Sequence, residues 1–600
     1  MTYTPEMPSV DDPAYQDSGL PVEKRVEDLL TRMTLEEKAG LMFHQMLEIG
    51  DGGDLAGAST EYALPPTAEL ILKKQINHFN VLGSTDPKTM ALWHNRLQAA
   101  ARETRLGIPV TLSTDPRHAF TDNPGASFTA GPFSEWPETL GLAAIGDEEI
   151  VRQFADVARQ EYLATGIRVA LHPQVDLATE PRWARINGTF GEDAELTSRM
   201  LTAYIQGFQT DQLGPDSVAT MTKHFPGGGP QKDGEDAHFP YGREQVYPGR
   251  NFEYHLRPFE AAFDAGTSQI MPYYGMPVGT QYEEVGFAFN KGIITGLLRE
   301  KYGFDGIVCA DWNLIHDSMV WGEKQAARAW GIEHLTPLER LEKALLAGVD
   351  QFGGEHCPEL IVELVETGRI TVARIDESAR RLLREKFVLG LFDNLFVDPS
   401  QAETIVARSD FLEAGYSAQC KSITVLTNGT DAPFLPFAGR PRLYSPGIDE
   451  SVAVDYADVT DNLEQADVAF LRVKAPFEKR DGAFEQFFHA GRLEFSAEEL
   501  QGILDVCRRV PTVVDIYLDR PAVIPEILGE AAAVVANYGA SDKAVLDVLF
   551  GRRSPRGKLP FDLPASAAAV EASRTDVPFD TDAPLLRFGH GLSEAWGETA

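Results

Sequence analysis

Apolar positions along the first part of the chain switch repeatedly between two periods. Leu29, Leu30 and Met33 fall on one helical face, and Thr34-Leu35-Glu36-Glu37 has the order of a capping box, which restarts a helix. Ile150, Val151, Phe154, Val157 and Ala158 recur every three to four residues ahead of Gly166, a predicted C-cap. The continuous run Ile167 to Leu171 follows at once. Asn290 is expected to cap a helix through Tyr302, which Gly303 ends before the run Ile307 to Ala310. Short apolar runs between helices are the pattern of parallel βα units. Their ends are polar: candidate strands finish at Asp115, His172 to Asp176, Lys223-His224, Tyr273-Tyr274, Asp311-Trp312 and Asp350. In a closed (β/α)₈ barrel the C-terminal strand ends point into one mouth, where chemistry is done. The set therefore predicts a TIM-type barrel with its site at that mouth.

A last barrel-covering helix is predicted from Asp376 through Ala379, Leu382, Leu383 and Phe387, after which residues 393–407 lose periodicity and read as a linker. New apolar runs then begin, at 423–426, 468–473, 513–517 and 532–536, alternating with helical segments such as Val545 to Phe550. The expected organisation is α/β throughout: a (β/α)₈ barrel over 1–395, a linker over 396–412, and a smaller α/β sandwich over 413–600 that supplies part of the site.

Composition narrows the class without changing this picture. Forty-three per cent hydrophobic and 24% charged is globular, and 600 residues exceed one ordinary core. The net charge of −36 and isoelectric point near 4.7 disfavour nucleic acid and anionic membrane as partners. There is no apolar stretch of the roughly twenty residues a membrane span needs. The first twenty residues show neither a basic start nor an apolar run, so cytoplasmic residence is expected. The four cysteines are far apart with no CxxC pair, which predicts buried thiols and no metal site.

Several segments carry more specific chemistry: LTRMTLEEKAGLM, LGIPVTLSTD, ATEPRWARINGTFGED, TMTKHFPGGG, IMPYYG, REKYGFDGIVCADW, and RGKLPFDLP with PLLRFGHGL. The glycines after Lys223-His224 lack the GK[ST] ending of a phosphate-binding loop. In this order and spacing the segments resemble glycoside hydrolase family 3 over nearly the whole chain. The resemblance implies a barrel followed by an α/β sandwich, with a sugar bound in the barrel mouth and no cofactor. It matches Asp311 to the family nucleophile, a carboxylate at a strand end placed to form a glycosyl ester, with Trp312 as an apolar wall. Asp115, Arg182, Lys223 and His224 match sugar-holding residues, and Met271 and Tyr274 match a segment beside the nucleophile. Asp115-Pro116-Arg117-His118-Ala119 departs from the family pattern, which commonly has a glycine after the histidine.

A retaining mechanism needs a second acid about 5–5.5 Å from the nucleophile. In two-domain members it comes from a loop of the second domain, which points to Glu478, with Glu485 the alternative; Lys479 and Arg480 beside Glu478 count against it. Members lacking that domain use a histidine held by an aspartate after the Lys-His strand, and Asp236 and His238 match that pair. The function implied is retaining, exo-acting hydrolysis of β-glucosides. Alternatives are β-xylosidase or transglycosylase chemistry at the same site, a β-N-acetylhexosaminidase using Asp236 and His238, or a silent sugar-binding protein. The partners expected are a β-linked glucoside or oligosaccharide and, at most, further copies of the chain.

Overall fold

The computed structural model describes residues 13–123 and 125–596; most of the first twenty residues, on which the expectation of cytoplasmic residence rests, lie outside that range. Eight parallel strands close into a barrel in simple sequence order. They are β1 (Phe43–Glu48), β2 (His78–Leu82), β3 (Thr111–Thr114), β4 (Ile167–Ala170), β5 (Ala219–Phe225), β6 (Gln269–Pro272), β7 (Ile307–Ala310) and β8 (Gln351–Gly353).

The capping box forms as expected at Thr34 and Glu37, and the helix Glu148–Thr165 ends at Gly166 in the left-handed conformation (φ 86°). Asn290 Oδ1 accepts from Ile293 N (3.3 Å) just ahead of the π-helical segment Gly292–Lys301.

Other expectations need correcting. β1 and β2 were not legible because their inward residues are polar: His44, His78 and Asn80 break the apolar run yet are buried. Asp350 precedes β8 and does not end it, so it sits at the opposite end of the barrel from the mouth. There it joins Arg299 (2.6 Å) and Arg381 (3.1 Å) and accepts from Val308 N. The last barrel helix starts earlier than Asp376, at Val372, because the Thr371 side chain caps Arg374 N. The stretch read as a linker contains a helix, Pro399–Ile405, which packs against the barrel helices Pro87–Arg102 and Glu148–Thr165.

The second domain is a six-stranded sheet of β9 (Thr424–Asn428), β10 (Arg442–Tyr444), β11 (Asp458–Val459), β12 (Val468–Lys474), β13 (Thr512–Tyr517) and β14 (Ala533–Asn537). The order across it is β9-β14-β13-β12-β10-β11, parallel except for β9. From β12 the chain leaves as a long loop over residues 475–491 that crosses the barrel mouth. Buried Arg520 fastens its ends by donating to the carbonyls of Pro476 (2.8 Å) and Ala490 (3.0 Å), and to Arg182 O of the barrel (2.7 Å). Barrel loops hold the middle: Asn123 Nδ2 donates to Phe487 O (3.0 Å), Glu323 accepts from Ala483 N (2.9 Å), and Arg480 pairs with Glu235 (2.9 Å).

Candidate active site

The mouth of the barrel holds a cavity bordered by Asp115, Lys223, His224, Met271, Tyr274, Asp311 and Trp312, and roofed by Phe484 of the crossing loop. Seven residues expected from sequence thus meet in one place. β5 and β6 are bulged here: Lys223 pairs with Met271 and Phe225 with Pro272, leaving His224 as the extra residue. A bulge re-aims side chains, which lets two successive residues, Lys223 and His224, border the same cavity.

Asp311 follows β7 directly and is 7% exposed. Its Oδ1 accepts from Trp312 N (2.8 Å), and Oδ2 lies 3.9 Å from His224 Nε2. The Tyr274 hydroxyl donates to Trp312 O (3.0 Å), so the nucleophile turn is held from both sides. His224 Nδ1 pairs with Asp176 at 2.7 Å. Burial, helped by the Arg185 cation, nonetheless takes its imidazole down to about 4, so it is neutral at ordinary pH. On the far side Lys223 Nζ binds Asp115 Oδ1 (2.9 Å) and Asn80 Nδ2 donates to Asp115 Oδ2 (3.0 Å). This fixes a carboxylate that still has lone pairs for two sugar hydroxyls.

The Trp312 indole packs where no side chain could stand. A Cβ at Gly353 would lie 2.6 Å from the indole, and one at Gly354 (φ +70°) would lie 2.7 Å from it. The glycine pair at the end of β8 therefore makes room for the indole, a signal the sequence displayed and the motif reading did not use.

Among the residues of this cavity that the sequence reading missed are Arg185, Asn80 and Arg328, and one expected residue was misplaced. Arg182 lies outside it, its guanidinium bound to Glu180 (2.7 Å). Arg185, three residues on in the same segment, borders the cavity instead; it is 3% exposed and its Nε has no hydrogen-bond partner among the described residues. Asn80 was hidden with β2. Arg328, also buried, donates at 3.4 Å to the carbonyls of Trp312 and His238, and lies over the Tyr274 ring at 5.4 Å. Nothing in its local sequence marks it.

The two glutamates of the crossing loop do not border the cavity. Glu478 pairs with Ala490 across the loop (N to O, 3.0 Å), which directs its half-exposed side chain against Gly491 and towards Arg480 (3.6 Å). Glu485 accepts from the Tyr241 hydroxyl and lies 3.6 Å from Arg480. His238 does border the cavity. Its Nδ1 lies 2.6 Å from Asp236 Oδ1, and Asp236 also accepts from His238 N (2.9 Å) and Trp183 Nε1 (3.0 Å). Burial alone would raise the Asp236 carboxyl, but His238 and Arg185 outweigh it and bring it to about 2. Burial, with Arg185 and Arg328 nearby, holds the His238 imidazole below its ordinary value against the pull of Asp236.

Away from the cavity, His316, Glu355 and Cys357 are of metal-ligating types and within 4.8 Å of one another. Glu355 is already occupied: it accepts from Ile315 N (2.8 Å) and His316 N (2.9 Å) and pairs with His316 Nδ1. Its visible role is to anchor the chain that leaves the nucleophile turn. The four cysteines are free and buried, and no described helix is long and apolar enough to cross a membrane.

Comparison with known proteins bears on the whole chain. The model of the glycosyl hydrolase family 3 N-terminal domain matches residues 65–385, and that of the family's C-terminal domain matches residues 312–594. The chain belongs to glycosyl hydrolase family 3. It is 54% identical to a probable beta-glucosidase C of Aspergillus flavus, over 97% of this chain and 92% of that one. It is 42% identical to a periplasmic beta-glucosidase/beta-xylosidase of Dickeya chrysanthemi, over 96% and 91%. Its fold superposes on the crystal structure of a beta-glucosidase from Listeria innocua in complex with isofagomine with a TM-score of 0.75, at 22% identity, covering 95% of this chain and 83% of that one. This family member is a glycoside hydrolase, and retention of anomeric configuration is general to the family.

Proposed function

We propose that this chain is an exo-acting β-glucosidase in which Asp311 is the nucleophile and His238, held by Asp236, is the proton donor. The observation that carries the reading is that one cavity at the barrel mouth is bordered by Asp311, the Asp115–Lys223 pair and His238, whereas both loop glutamates lie outside it. Asp311 attacks the anomeric carbon and forms a glycosyl ester, while His238 Nε2 protonates the departing oxygen. The neutral imidazole then takes a proton from the water that cleaves the ester. Asp236 remains ionised throughout, orients the ring through Nδ1 and stabilises the imidazolium. Asp115, Lys223, Arg185 and neutral His224 hold sugar hydroxyls, and Trp312 offers its face to the ring. The names of the relatives favour glucose, with xylose as the second sugar to test.

A 2-deoxy-2-fluoro-β-glucoside with a good leaving group tests the assignment. A stable adduct on the Asp311 peptide is expected, together with β-glucose as the first product seen by NMR. An adduct on another residue, or α-glucose as first product, overturns it. Phe484 brings the crossing loop into the cavity wall, so Glu485 beside it is the rival donor; it wins if Glu485→Gln abolishes turnover and His238→Ala does not.

A further inference from the structure

A second cavity, of about 630 Å³, lies between the barrel and the second domain. Among the described residues, Arg185 alone borders both it and the catalytic cavity. Its position in the second domain is informative. After β10 the chain goes to β11 on one side, then returns to β12 on the other, so the strand order reverses between β10 and β12. In open α/β sheets ligands bind outside the carboxyl ends of the strands at such a reversal. The cavity is bordered there by Gly447 after β10, Lys474 at the end of β12, Tyr517 at the end of β13 and Asn537 at the end of β14. The barrel closes it with Thr121 and Asn187, among others.

The chemistry of the wall suits a neutral, hydroxyl-rich ligand. Its charged residues are of both signs, and three of them are matched within the protein: Arg472 is paired to Asp515 (2.8 Å) and Asp542 (2.6 Å), and Asp519 to His489 (2.7 Å). Two groups retain unused capacity in opposite senses. Among the described residues, Asp519 Oδ1 is a buried acceptor without a donor, and Arg185 Nε is a buried donor without an acceptor. Hydroxyls donate and accept, so a polyol satisfies both where a phosphate or a cation satisfies one. Thr121, Asn187 and Tyr517 already form one connected set, with Asn187 Nδ2 at 3.0 Å and the Tyr517 hydroxyl at 3.1 Å from Thr121 Oγ1. Phe120 and Phe487 add aromatic faces, and an apolar wall with a few fixed polar groups is what small-molecule sites present.

We propose that this cavity is a second saccharide-binding site, separate from the catalytic cavity and sharing the Arg185 wall with it. It binds a neutral mono- or disaccharide, and through Arg185 its occupancy changes the affinity of the catalytic cavity. The proposal rests on the β-glucosidase reading for its choice of sugars and not for its geometry.

The test uses the full chain with Asp311 trapped by the fluoroglucoside, which fills the donor-sugar position of the catalytic cavity; the variants Asn187→Ala and Asp519→Ala separate the second cavity from the acceptor side of the first. Intact mass reports the trap separately, so failure to form an adduct counts against the Asp311 reading alone. Glucose and cellobiose are then titrated calorimetrically. One equivalent is expected to bind the trapped enzyme, and Asn187→Ala and Asp519→Ala are each expected to weaken it at least tenfold while hydrolysing nitrophenyl glucoside within twofold of wild type, which shows that they fold. Without an adduct, glucose is titrated into unmodified enzyme: two equivalents are expected, falling to one in both variants. The proposal is overturned if neither sugar binds the trapped enzyme, if unmodified enzyme takes up a single equivalent, or if binding is the same in wild type and both variants.

Discussion

Glu138 makes the stability of this protein depend on pH in a calculable way. It lies where the two domains meet: its backbone N–H donates to Tyr538 O (2.8 Å), and its Oε1 accepts from Thr121 N (2.8 Å), Thr121 Oγ1 (2.7 Å) and Phe120 N (3.2 Å). Those donors favour the carboxylate, yet burial dominates and pushes the group from 4.5 up to about 7. A carboxyl raised on folding contributes stability that is fully present below its unfolded pKa. That contribution is lost as pH rises through the folded value. The window here runs from about 4.5 to about 7, and at 1.36 kcal/mol per unit the loss is about 3 kcal/mol above it.

Glu138→Gln removes the titration and keeps an Oε1 for these donors and for the Tyr517 hydroxyl, which also donates to it (3.3 Å). The variant is expected to unfold with wild type at pH 5 and at a higher temperature at pH 8. A difference of about 3 kcal/mol moves the midpoint of a unit of some 200 residues by roughly 6–12 °C. Scanning calorimetry of both proteins at both pH values measures this, and the quantity compared is the change in the offset between pH 5 and pH 8. An offset equal at the two pH values, or a variant less stable at pH 8, refutes the argument, because either outcome means that burial does not govern the group.

Other outcomes follow from the catalytic cavity. His238→Ala is expected to lower kcat/KM on alkyl glucosides by about 10²–10⁴, the usual span for a lost general acid, and far less on dinitrophenyl glucoside, whose leaving group needs no proton. Glu478→Gln is expected to change neither appreciably. Since His238 must be protonated to act and is held below its ordinary value, activity on alkyl glucosides is expected to fall with rising pH, with a basic limb below about 6.5. Arg328→Met removes one of the cations that depress it and is expected to move that limb to higher pH; an unmoved limb in a folded variant excludes His238 as the titrating donor. Gly354→Ala forces a Cβ to 2.7 Å from the indole at φ +70° and is expected to cost about 1–3 kcal/mol of stability, with a rise in KM where Trp312 is displaced.

Sequence by itself determined the alternation of strand and helix, and it displayed the polar residues at strand ends that a barrel gathers into one mouth. Both are local properties, period and punctuation, so Asp115, Lys223, His224, Tyr274 and Asp311 could be named without coordinates. What depends on closure could not. β1 and β2 are strands because the barrel buries His44, His78 and Asn80 on its inner face, which no apolar run announces. Two arginines three residues apart divide between a pair with buried Glu180 and the cavity wall, and only the path of the chain after β4 decides which does which. The choice of acid was tertiary in the same sense. Glu478 looked well placed by its distance along the chain from β12, but Ala490 pairs with it and Arg520 pins the loop ends, so its side chain lies against Gly491 and towards Arg480, outside the cavity lining. His238 is brought to the cavity by its barrel loop and held there by a buried carboxylate. Spacing along a strand is set by the residues themselves, whereas which side of a long loop faces a cavity is set by everything that loop touches.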